Sequence, residues 1–270
     1  MPIITITRGS LSATFKLSER LARELNCRTV TREEIIDHGR KYGIEEFLQA
    51  AKGIMESKPP HSWDPNTEQI QHYLAIYKAA LMDFVVEGNV ICHGLQTHYL
   101  LTDVPRVLRV KVVAPLEYRV RSIAEESEFS EAEARDYIQN VDSQRITWVK
   151  FLHGADFDDP TNYDLTLNMA NLNLDAITVL IGLVVRRPEF RLDSSALKII
   201  RDVHLKSVAA AYLIHSPQTR NMSFSIDCDS DNGHVKVTRI DPASDSDWQK
   251  TVKEVLSKVD LISTLKIARS

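Results

Sequence analysis

Short apolar strands alternate with amphipathic helices through the first 187 residues, and this alternation constrains the fold more than any other feature of the chain. Residues 2–8 (PIITITR) are short and β-branched, the pattern of a buried strand. A Gly9–Ser10 turn follows, after which Leu17, Leu21, Ala22 and Leu25 recur at helical spacing. Residues 28–31 (RTVT) predict a second strand, with a helix from Arg32. Three prolines in 57–66 (SKPPHSWDPN) demand a loop. A long helix is expected over 67–86, stopped at Gly88, with strands at 89–93 and 107–113 and a helix from Leu116. Ser130 and Glu133 have capping-box spacing for a helix reaching about Lys150. A strand at 163–168 and a helix at 173–187 complete the series. Apolar strands that return through helices imply a parallel sheet covered on both faces.

The pattern changes at 186–190 (RRPEF). A helix over 193–214 precedes strands at 223–229 and 234–240, joined by a turn containing Asp231, Asn232 and Gly233. A helix at 245–258 and a strand at 261–267 finish an α-β-β-α-β unit. The expected fold class is α/β: a parallel-sheet domain over 1–187 and a small α+β domain over 190–270. A chain of 270 residues accommodates both.

A net charge of −4 argues against a dedicated nucleic-acid binder, which would carry a basic excess. No apolar run approaches the ~20 residues that span a bilayer. The start, MPIITITRGS, lacks the pattern of a secretory leader. Cys27, Cys92 and Cys228 are scattered and odd in number, as expected of free thiols in a reducing cytoplasm.

Residues 1–187 resemble the cytidylate-kinase-like family of P-loop nucleoside monophosphate kinases. The stretches that carry the resemblance are IITITRGS, TREEII, VLRVKVVAPLEYRVRSI, ARDYIQNVDSQR and DPTNYDLTLN, in that order along the chain. Residues 190–270 resemble a small BON-type α/β domain, with GHVKV at its Gly-led strand. The family resemblance implies a central parallel sheet, ATP with Mg²⁺ at the first strand-to-helix turn, and a cytidylate-type acceptor beside it. Transfer in such enzymes is largely positioning and charge neutralisation.

A working phosphate loop reads G-x-x-x-x-G-K-[ST]: glycines for backbone approach, a lysine for the phosphates, a hydroxyl for the metal. Counted from Gly9, the second glycine falls on Thr14, the lysine on Phe15 and the hydroxyl on Lys16. Only Gly9 fits. Lys16 stands one position late, about 100° around a helix from where the lysine belongs. Ser12 and Ser18 are alternative hydroxyls without supporting spacing. What survives is a helix N-terminus with Ser10, Ser12 and Thr14 about it, together with Lys16, a combination suited to an anion.

Arg119, Arg121 and Arg145 lie where the resemblance implies a phosphate-neutralising lid, a task for bidentate guanidinium groups. A solvated helix face with i,i+3 pairing of Asp142 and Arg145 accounts for the same residues. Arg32, Glu33, His93 and Asp142 are the corresponding acceptor-site candidates. Arg109 sits on a strand predicted to be buried and needs a partner: Asp164, a ligand, or solvent at the strand end. Cys92, His93 and His98 offer metal-ligand atoms but no defined coordination geometry, so packing or substrate contact is the simpler role, and no metal site is expected. Asp158, Asp159 and Asp164 could offer one ligand to Mg²⁺, but turn residues ahead of a strand account for all three. Trp63, Tyr73 and Tyr77 could stack on a base, although the two tyrosines share a helical face suited to a core.

Three functions fit these observations. The first is a non-catalytic or weakly active nucleotide- or anion-binding protein with an eroded loop. The second is an active ATP-dependent nucleoside monophosphate kinase. The third is a structural protein in which neither pocket is occupied and the small domain mediates assembly; a homo-oligomer is a partner compatible with any of the three.

Overall fold

The computed structural model describes residues 1–8, 13–43, 65–94, 97–241 and 247–269. Two compact units are present. Among the described residues one unit holds 1–32 and 88–192, and the other holds 33–43, 65–87 and 193–269. Elements are numbered along the chain.

The first unit is built on five parallel strands: β1 (Ile3–Arg8), β2 (Arg28–Val30), β3 (Val90–His93), β4 (Val107–Val113) and β5 (Leu165–Asn168), in the order β2-β3-β1-β4-β5. The opening strand is central because it can be buried on every side: Ile3, Ile4 and Ile6 are at most 1% exposed. Each such side chain contributes roughly 1.5–3 kcal/mol relative to exposure. On one face, helices α1 (Ala13–Leu25) and α7 (Leu174–Val185) bring Leu17, Leu21, Ile177 and Ile181 onto Ile4, Ile6, Leu108 and Val110. The alternation of a strand sends Thr5, Thr7, Arg109 and Lys111 to the opposite face.

The short helix α4 (Thr97–Leu100) follows β3. After β4 come α5 (Leu116–Glu126) and α6 (Glu131–His153), joined through Val120, Ala134 and Ile138. The predicted capping box is present: Ser130 Oγ accepts from Glu133 N at 3.3 Å, and Glu133 Oε2 accepts from Ser130 N at 2.8 Å. The strand expected from residue 163 begins instead at Leu165. Asp164 turns to the backbone of Arg109, accepting from its N–H at 2.7 Å and donating to its carbonyl at 2.8 Å.

The second unit contains α2 (Arg32–His38) from Glu33 onward, α3 (Pro65–Glu87), α8 (Ser194–His215), β6 (Phe224–Asp229), β7 (His234–Arg239), α9 (Trp248–Leu256) and β8 (Thr264–Arg269). Its sheet runs β6-β7-β8, with the first pair antiparallel and the second parallel, as the α-β-β-α-β pattern requires. The last strand starts three residues later than the predicted 261. Residues 261–263 are spent on a turn in which Ser263 N donates to Gly233 O at 2.8 Å.

Helices α3 and α8 lie side by side and meet at a half-buried carboxylate. Asp83 accepts from His204 Nε2 (2.7 Å), His38 Nε2 (3.0 Å), Lys41 Nζ (2.7 Å) and Tyr42 OH (2.8 Å). Burial pushes this carboxyl up, but the hydrogen bonds from His204, Lys41 and Tyr42 prevail and hold it down to about 2. The same burial and the neighbouring carboxylate push the Tyr42 phenol up. Tyr73 and Tyr77, each 4% exposed with ring centroids 5.6 Å apart, belong to the core. Trp63 lies outside the described residues.

Candidate functional site

Parallel strands end on one edge, and open α/β sheets bind ligands outside that carboxyl edge. Here the register places Thr7 of β1, Lys111 of β4 and Thr166 of β5 side by side. Side chains abreast in register share a face. This row is polar, whereas the opposite face carries Ile4, Ile6, Leu108, Val110 and Val112.

Thr7 Oγ1 and His98 Nδ1 share a hydrogen bond of 2.9 Å. His98 is 2% exposed, and burial pushes it down to about 3, aided by the positive charges of Arg109, His153 and Lys111. Its imidazole is therefore neutral at physiological pH. The ring lies against Tyr99 at 3.9 Å and Tyr163 at 4.9 Å between centroids. Tyr163 OH donates to Phe157 O at 3.0 Å.

Lys111 is 5% exposed. Its ammonium donates to Phe157 O and Asp158 Oδ1, both at 2.8 Å, and stands over the rings of Phe157 (4.5 Å) and Tyr163 (5.0 Å). Beyond it is a pocket of about 170 Å³, lined by Lys111, Arg119, Asp142 and Asp158 as polar groups and by Phe157 and Ile146 among the apolar ones. Arg119 Nη1 donates to Asp142 Oδ2 at 2.5 Å. Two cations thus border one cavity, each held by a carboxylate.

At the start of α1 the described residues begin at Ala13. Gly9, Ser10 and Ser12 lie outside the described residues, as does the Thr14 side chain. Phe15, at the position of the motif's lysine, is 47% exposed and meets His93 edge-on, with ring centroids 5.9 Å apart. Lys16 Nζ pairs with Glu126 Oε1 of α5 at 3.0 Å, with 65% of its side chain exposed. Ser18 is 1% exposed, turned into the core beside Leu17. Among the described residues no group of three or more His, Cys, Asp or Glu side chains could hold a metal ion. Of the described residues at the start of α1, Phe15 carries no charge and the Lys16 ammonium is paired with Glu126.

The family model described as the cytidylate kinase-like family matches residues 3–171. The chain belongs to the cytidylate kinase-like family. Among solved structures it is similar to an uncharacterized protein from Eubacterium ventriosum ATCC 27560, with a TM-score of 0.52 and 16% identity, over 68% of this chain and 97% of that one. It is also similar to shikimate kinase from Bacteroides thetaiotaomicron, with a TM-score of 0.42 and 11% identity, over 69% of this chain and 99% of that one. No curated protein matches the chain. The first likeness shows the fold alone, a parallel sheet with its helices.

Within this cytidylate kinase-like protein, the residues singled out from sequence are not gathered at one point. Arg119 and Asp142 meet at the pocket, whereas Arg121, two residues further along α5, is exposed. A step of two residues turns a helix by about 200°, which separates them. Arg145 is half-buried on α6. Arg32 stands at the start of α2, its Cβ 3.9 Å from where a side chain on Gly94 would begin, and Glu33 beside it in sequence is exposed. His93 is buried at the end of β3. Sequence reasoning missed Lys111. The signal was available: a single lysine inside VLRVKVV, where a buried strand has no cheap place for a charge.

Proposed function

We propose that this cytidylate kinase-like protein binds a nucleoside phosphate at the carboxyl edge of its parallel sheet and retains it with little or no phosphoryl transfer. Arg119, Arg121 and Arg145 act as phosphate clamps, and Arg32, Glu33, His93 and Asp142 face the acceptor side. The loop from Gly9 to Lys16 contributes backbone and hydroxyl groups but no lysine to the phosphates. Residues 190–270 serve as a BON-like regulatory module.

The observation that carries this reading is the fate of the motif's lysine. Phe15 occupies its position, and the neighbouring Lys16 is paired with Glu126 at 3.0 Å on the exposed side of α1. A phosphate lysine and a metal-anchoring hydroxyl together supply several kcal/mol to a phosphoryl-transfer transition state. Ground-state binding asks less of the site. An arginine and a helix N-terminus suffice for an anion.

The test is a thermal-shift panel with ATP, CTP, CMP and cyclic nucleotides, each with and without Mg²⁺, alongside a coupled assay of transfer from ATP to CMP. A ligand at one hundred times its Kd adds about 2.7 kcal/mol of stability, a plainly visible shift. The expected result is stabilisation by at least one nucleoside phosphate with negligible turnover. Robust turnover abolished by Arg145→Ala would overturn the non-catalytic reading, and no shift with any nucleotide would overturn binding.

A further inference from the structure

Lys111 occupies a position where a charged group is expensive. The residue is 5% exposed, within a strand paired on both sides, and the ammonium has left water almost completely. Its compensation is modest: one carbonyl, two ring faces, and the carboxylate of Asp158, whose own side chain is 67% exposed. An attraction to a carboxylate in solvent is largely screened. A well-packed apolar side chain would serve stability as well or better.

The donors on the two cations are also incompletely used. A lysine ammonium carries three N–H groups. Among the described residues, Phe157 O and Asp158 Oδ1 take two of them. Arg119 gives Nη1 to Asp142, but its Nε is buried without a hydrogen-bond partner among the described residues. Both residues line the same pocket of about 170 Å³, smaller than the ~300 Å³ at which drug-sized ligand sites begin. Two cations with unused donors around a small cavity suit a group with several acceptor oxygens and negative charge. A phosphoryl group has those properties; a base with its ribose would not fit.

We infer that Lys111 and Arg119 form a phosphoryl-binding subsite in which the buried cation comes from β4 instead of from the loop after β1, and that Asp158 and Asp142 are placeholders displaced by the arriving oxyanion. This rests on the anion-binding reading above and deepens it. Lys111 lies level with Thr7, the next-to-last residue of β1, so the substitute cation enters one strand away from the loop. Binding is reversible, with carboxylates exchanged for phosphoryl oxygens and no bond made or broken. Because each cation begins paired, the subsite discriminates against weakly charged anions: a ligand must offer more than the carboxylate that it replaces.

The experiment is isothermal titration of inorganic pyrophosphate into the full chain and three variants, with folding checked by circular dichroism. Lys111→Met should weaken binding at least about tenfold, the loss of a charge-assisted hydrogen bond. Lys111→Arg should recover part of it. Asp158→Asn is the decisive variant, since an exposed carboxylate can be neutralised without disturbing the core. It should bind pyrophosphate severalfold more tightly than wild type, a gain that a purely structural Lys111–Asp158 pair would not give. Absence of pyrophosphate binding by the wild type, unchanged affinity in folded Lys111→Met, or weaker binding by Asp158→Asn would each overturn the inference. The nucleotide panel fails independently. Lys111-dependent pyrophosphate binding without any nucleotide shift would leave the subsite standing and remove the nucleoside. A nucleotide shift indifferent to Lys111 would do the reverse.

Discussion

Replacing His98 with Gln tests whether the imidazole that meets Thr7 is held neutral by burial. The variant keeps an amide to meet Thr7 but removes the titration. In the native state His98 is pushed down to about 3, whereas in an unfolded chain it titrates near 6.5. The unfolded state therefore binds the extra proton first as pH falls, and stability present above about 6.5 is lost on the way down to 3. At pH 4.5 the unfolded chain gains about 2.7 kcal/mol from protonating this one ring, and at pH 7 only about 0.2. The difference, about 2.5 kcal/mol, is insensitive to the native value, because at pH 4.5 the native ring is still neutral. Urea unfolding at pH 7 and 4.5 reads it, followed by Trp148 fluorescence after Trp63 and Trp248 are changed to Phe. Wild-type His98 should lose about 2.5 kcal/mol more than His98→Gln between the two conditions. Parallel losses in the two proteins would refute a buried neutral imidazole.

In the second unit, Asp83→Ala should cost about 3–5 kcal/mol, because it strands His38, Lys41, Tyr42 and His204 around a missing acceptor. Urea unfolding followed through Trp248 reads this loss. The depressed pKa of Asp83 means that its contribution is complete above 3.8 and lost as pH falls towards about 2, so the gap between wild type and variant should narrow in that window. Gly233→Ala should lower the thermal midpoint of this unit by an amount equivalent to about 1–2 kcal/mol. Its backbone sits at φ +62°, and an added Cβ would stand 2.5 Å from Ser263 Oγ.

Local sequence rules reached most of the fold. β4 falls at the predicted 107–113, and the Ser130–Glu133 box begins its helix as expected. Both signals are contained within a few consecutive residues. What they missed depends on residues brought together from a distance. Asp142 accepts from Arg119 across two packed helices, a pairing that no i,i+3 rule contains. The Asp83 cluster draws on α2 and the turn after it, on α3 and on α8, and none of these segments announces the others. Lys111 was hidden for a different reason. Counting apolar positions makes a lone lysine in VLRVKVV look like noise, and draws the eye to Arg109, two residues earlier. The fold turned Arg109 into a backbone partner of Asp164 and buried the lysine.

The pairing of α3 with α8 bears on how the polypeptide is made. During synthesis α3 is finished at Glu87, but the helix it lies against begins only at Ser194. The nascent second unit must therefore wait, the α8-facing side of α3 uncovered, while β3, β4 and β5 of the parallel sheet are translated. Folding of the two units is in this way ordered by the ribosome, with the sheet-bearing unit able to close first.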